Sequence, residues 1–170
     1  MEKAYMEEPY VADETLIENG VMDASAEMEN MYLLFRVEDA IYGIEIKYVL
    51  QIIAMQPINK MPQMPPDMKG YISLRGNVIP IISMRLHFDI MEEEYTERTC
   101  IIVLTVGEKE IGIIVDAIQE TITIEPEDIA PSPRTNDAAD SYVQGIAKKL
   151  TDGNTAILLD VPGLFINNGF

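Results

Sequence analysis

The chain has 170 residues, 48% of them hydrophobic, and a formal net charge of −17 from 29 acids against 12 bases. That length and apolar share suit one domain or two small packed halves and exclude wholesale disorder. The negative excess repels phosphate backbones and anionic lipid, so nucleic acid and bare membrane surfaces are poor partners.

Residues 1–30 hold nine acids, one base (Lys3) and little regular apolar alternation. They read as an acidic flexible leader that takes no part in the core. From Met31 the pattern becomes strand-like: Tyr32 to Glu38, a turn at Asp39-Ala40, then Ile41 to Ile46. Ile46, Val49, Leu50 and Ile53 fall at i, i+3, i+4 and i+7, the spacing of a short helix with one buried face. Prolines 57, 62, 65 and 66 then make an irregular loop. Met55, Met61, Met64 and Met68 cluster there, either to plug an open barrel end or to offer an adaptable contact surface. Ile72–Arg75 and Val78–Met84 read as strands about a Gly76-Asn77 turn, with Pro80 expected at an edge or bulge.

The acids Glu92–Glu94 mark a boundary. Cys100–Val106, Ile111–Val115 and Gln119–Ile124 read as the next strands, with a turn at Gly107–Lys109. Glu125–Ser141 reads as a loop. Gly145–Leu150 and Thr155–Asp160 form a last hairpin, and Val161–Phe165 adds a C-terminal turn. The expected division is therefore a leader at 1–30, a first β unit at 31–91, a second at 92–165 and a tail at 166–170.

The chain also echoes itself. Shifted by 69 positions, Phe35 meets Leu104, Gly43 meets Gly112, Ile44 meets Ile113 and Val49 meets Ile118; shifted by 77, Gly76-Asn77 meets Gly153-Asn154. Two similar β units in tandem account for this. Each is too small to bury enough surface alone, so the two should pack together and leave a groove between them.

Catalytic equipment is sparse. His87 is the only histidine and Cys100 the only cysteine. Neither has a motif partner that would make it a nucleophile or base, and together they fall short of a zinc ligand set. The glycine pair Gly107 and Gly112 has phosphate-loop spacing, but Ile113-Ile114 stands where Lys-Ser/Thr is required. The expectation is no enzyme, no cofactor and no metal. With one cysteine, no secretory pattern and no apolar run of about 18 residues, the chain reads as cytoplasmic.

At Gly70-Tyr-Ile-Ser-Leu-Arg-Gly-Asn-Val-Ile-Pro-Ile-Ile82 the sequence resembles the CheW family of bacterial chemotaxis coupling proteins, with Ser73 where Asn is usual. Tyr42–Ile46 followed by Val49 and Ile52, Ile111–Asp116, and Gly145-Ile with Leu158–Asp160 agree in order and spacing, so the likeness covers about residues 31–165. It implies an all-β fold of two five-stranded SH3-like barrels with short helical segments. It also implies an adaptor joining chemoreceptor cytoplasmic tips to the regulatory domain of the histidine kinase CheA. Carried over residue by residue, the receptor-facing groove includes Val49, Gly70, Arg75 and Gly112. The chain departs from the family at Gln51, often Glu, and at Ser83, where Asp is usual. Two other readings of the same β units are a small-ligand-binding barrel or enzyme, and a coupling protein of a non-chemotactic kinase pathway.

Overall fold

The computed structural model describes residues 28–132, 142–148, 150 and 152–167. Most of the expected leader and the last three residues of the expected tail lie outside the described residues. The elements run β1 (Met31–Val37), β2 (Ala40–Glu45), a 3₁₀ turn (Ile46–Tyr48), β3 (Val49–Ala54), β4 (Met68–Leu74), β5 (Asn77–Ser83) and α1 (Met84–His87). They continue with β6 (Cys100–Val106), β7 (Lys109–Val115), β8 (Ala117–Thr123), a 3₁₀ turn (Pro126–Asp128), β9 (Ile129–Ala130), β10 (Val143–Ala147), β11 (Ala156–Leu159) and α2 (Val161–Asn167).

The strands form two sheets, and the all-β expectation holds. The first barrel has the order β8-β1-β2-β11-β10-β9, the second β3-β6-β7-β5-β4. Period-two alternation divides each central strand between two cores. On β1, Tyr32 and Leu34 point into the first barrel while Leu33, Phe35 and Val37 point at the seam between barrels. On β6, Ile101 and Val103 fill the second barrel while Ile102 and Leu104 meet the same seam. Strands buried on both faces must read as unbroken apolar runs, which is what Tyr32–Phe35 and Cys100–Leu104 are. Helix α2 closes the seam with Val161, Leu164 and Phe165.

The division at residue 91 does not coincide with the sheets. Val49 to Val115 supplies the whole second sheet, while the first takes β1 and β2 from one side and β8 to β11 from the other. The acids at Glu92–Glu94 therefore lie in a loop within the second barrel. The tandem echo itself is matched by the pairing: Val49 opposes Leu104 on β3–β6, and their counterparts Ile118 and Phe35 oppose each other on β8–β1. Both pairings carry a bulge at the corresponding place.

Two further expectations are corrected. Residues 49–54 are a strand, not a helix, and alternate between half-buried and exposed. The bulge next to Val49 and the preceding 3₁₀ turn give the apolar residues a spacing that imitates a helix, while β-branched Val49, Ile52 and Ile53 favour extension. Strand β5 is interior rather than an edge, but Pro80 lies just outside the stretch, Ile81–Ser83, that pairs with β7.

One polar knot ties the crossing between barrels. Asp116, alone between β7 and β8, accepts from Arg85 at 2.7 and 3.0 Å and from the Glu38 amide at 2.8 Å. Its own amide donates to Arg36 O at 3.0 Å. Partial burial alone would raise the Asp116 carboxyl, but Arg85 and the Glu38 amide outweigh it and hold the group below the ordinary carboxylate range. Asp116→Asn is expected to lower stability to urea at neutral pH by about 1–3 kcal/mol. The wild-type contribution is complete above the unfolded carboxyl value of about 4 and is lost as pH falls through the lower folded value. Wild type should therefore lose more stability than the variant below about pH 4; parallel acid limbs would remove Asp116 as the source.

Candidate partner-binding site

Leu74 pairs with Asn77 across the β4–β5 hairpin, so the turn is Arg75-Gly76, one residue earlier than the sequence suggests. Both residues have positive φ, +52° and +83°, as a type I′ turn requires. Glycine meets that demand freely. Arginine does not: a side chain held in the left-handed region costs about 1–2 kcal/mol. The turn carries Arg75 outward and across to β3, where Nη1 donates to Gln51 Oε1 at 2.8 Å. Gln51 is neutral, and no carboxylate among the described residues forms an ion pair with Arg75.

Strand β3 is an edge of its sheet. Val49 is half-buried and packs against the seam. Ile52 lies opposite Ile102, a seam residue, and so shares its face. Yet Leu50 and Ile52 remain 41% and 43% exposed. The edge thus extends the apolar seam into open surface, with Arg75 and Gln51 beside it.

The other two expected site residues are placed differently. Gly70 and Gly112 are both buried. A Cβ on Gly70, at φ +138°, would overlap Asn59 O, because the loop strand closes over β4 there. A Cβ on Gly112 would come 2.7 Å from Ile81 Cδ1 and 2.9 Å from Ile101 Cγ2. The first barrel repeats both situations, with Gly145 beneath Ala130 and Gly43 beneath Leu158 and Leu34. These glycines answer a demand of barrel construction common to both halves.

Val49 matches its counterpart Ile118, since both are half-buried against the seam, whereas Leu50, Ile52 and Arg75 differ from theirs. In the first barrel the strand equivalent to β3 is β8, whose Glu120, Thr121 and Thr123 are the exposed positions. The counterpart of Arg75 is Asp152, which is exposed and accepts from Asn154 Nδ2 at 2.8 Å. The sequence does not reveal Leu50 and Ile52 as exposed, because helical spacing hides that they sit on an edge strand.

His87 holds Asp67 Oδ2 through Nδ1 at 2.8 Å and packs its ring 5.0 Å from that of Tyr142. It ties α1 to the loop before β4. Burial raises the Cys100 thiol, the opposite of what a nucleophile needs. Met55 packs against the second-barrel core, while Met61 is exposed. Among the described residues, a cleft lined by Ser83, Arg85, Glu92 and Asp116 among others holds about 190 Å³, and two more open depressions hold about 420 Å³ each.

Residues 31–167 match the family model described as a CheW-like domain. The chain is 33% identical over 102 residues to the chemotaxis protein CheW of Klebsiella aerogenes, covering 60% of this chain and 61% of that relative. It is 32% identical to the probable chemotaxis protein CheW of Rhizobium etli, over 78% of this chain and 85% of the relative. The crystal structure of the scaffolding protein TtCheW from Thermoanaerobacter tengcongensis superposes with a TM-score of 0.69 at 30% identity, covering 76% of this chain and 88% of that one.

The turn geometry gives a signed expectation. Arg75→Asn or Arg75→Gly should raise stability by about 1 kcal/mol by relieving the left-handed backbone, whereas Arg75→Ala should leave it almost unchanged. Gly70→Ala should lose several-fold more, about 2–4 kcal/mol, from backbone overlap. Thermal and urea unfolding of the four variants checks the order; a loss of stability in Arg75→Gly would refute the strain at the turn.

Proposed function

The chain belongs to the CheW-like family, and we propose that it is a non-catalytic adaptor coupling chemoreceptor cytoplasmic tips to a CheA-type histidine kinase. It works in the cytoplasm and reaches membrane-bound receptor arrays through protein contacts. The observation that carries this reading is the β3 edge. An exposed apolar ridge continues a buried seam, and a strained, outward arginine stands beside it. The corresponding edge of the first barrel, β8, presents polar residues instead. An edge of this kind suits a partner with apolar side chains and a carboxylate for the guanidinium fork.

The receptor side of the adaptor would be Val49, Leu50, Ile52 and Arg75. Gly70 and Gly112 belong to the proposal as residues that hold the β4–β5 and β5–β7 geometry under that surface. The kinase would take a separate surface, so that both partners bind at once. Each interface is of the transient class, below about 1,200 Å², with arrays adding avidity.

The test is reconstitution of receptor-dependent kinase activation with purified chain. Ile52→Lys sits at an exposed position, so stability should change by no more than about 0.5 kcal/mol, while coupling weakens roughly tenfold, about 1.4 kcal/mol. Arg75→Ala should weaken coupling in the same direction. Val49→Lys should cost both stability and coupling, since Val49 is half-buried. Normal activation by both Ile52→Lys and Arg75→Ala would take the receptor surface off β3. Mutual exclusion of receptor and kinase at saturation would refute the adaptor itself.

A further inference from the structure

The second barrel is an insertion in the first, and both crossings are very short. One is the 3₁₀ turn Ile46–Tyr48 between β2 and β3; the other is Asp116 alone between β7 and β8. A hinge needs residues free to absorb a large change in φ and ψ. Neither crossing has them. Ile46 and Tyr48 pack against the seam, and Asp116 is held by Arg85 and by the Glu38 and Arg36 backbone. The strands at the seam, β1 and β6, are buried on both faces, so separating the barrels would expose part of each barrel's own wall.

We propose that the two barrels form a single cooperative body with no hinge between them, so that the adaptor passes a partner's movement on by rigid displacement. The consequence for signalling rests on the adaptor reading above; the mechanical statement does not.

Native-state hydrogen exchange on the full chain in sub-denaturing urea tests it without any partner. Protected amides of β1 and β2 and those of β6 and β7 should share one opening free energy and one urea slope. Leu158→Ala removes atoms from the first-barrel core alone. It should accelerate β6 and β7 in the second barrel by the same factor as β1, about thirtyfold or more. Ile41→Val, in the same core, gives a smaller common factor of a few-fold and serves where Leu158→Ala does not fold. Ile79→Val, in the second-barrel core, should accelerate β1 in return. Spin labels at Ser73→Cys and Thr121→Cys, exposed strand positions in different barrels, on a Cys100→Ala background, should give one narrow distance. Acceleration confined to the mutated barrel, or two populated label distances, would overturn the proposal. A failed reconstitution of kinase coupling with intact cooperative exchange would instead count against the adaptor reading alone.

Discussion

The seam between the barrels is the constraint from which the rest follows. Leu33, Phe35 and Ile44 from the first barrel meet Ile102, Leu104 and Ile113 from the second, and all are essentially sealed from water. Burial of each such side chain contributes about 1.5–3 kcal/mol. The aromatic stack of Tyr42 on Phe88, with centroids 4.6 Å apart, continues it beside α1. Neither barrel can present this face to water, so the pair behaves as one core with three compartments.

Once the strands are apolar on both faces, polar features are driven to their ends and edges. Asp116 can be partly buried because Arg85, with only 14% of its side chain exposed, forks onto it and the Glu38 amide takes a further lone pair. His87 and Asp67 make a second partly buried contact, at the end of α1. Most of the other described acids are exposed, where they favour solubility and add little to the fold.

Repetition within the chain separates what builds a barrel from what this chain does with it. Gly43 and Gly112 serve corresponding contacts, as do Gly70 and Gly145. Features found twice are construction. Features found once, namely the exposed Leu50 and Ile52 and the outward Arg75 at positive φ, mark where the halves have diverged. A left-handed arginine where asparagine or glycine would be easier is a local cost that the fold does not need, which is the kind of strain that gathers at functional positions.

The sequence by itself determined the β class, the tandem echo, most strand positions and the resemblance that points to a coupling role. These depend on period two, turn residues and local motifs, all written within a few positions of one another. Through that resemblance it also offered Arg75 and Val49 for the receptor surface proposed above. It did not determine which strands share a sheet, because the same apolar run suits either barrel and only pairing partners distant in the chain choose between them. For that reason the expected division at residue 91 does not coincide with the sheets; the helical spacing before Ile53 has a separate cause, the bulge beside Val49 and the 3₁₀ turn before it. The resemblance puts Gly70 and Gly112 at the proposed receptor surface, but a motif records only that a glycine is needed, not what it touches. Asn59 O above Gly70 and Ile81 beside Gly112 are contacts made by other segments, and only the tertiary structure brings those segments there.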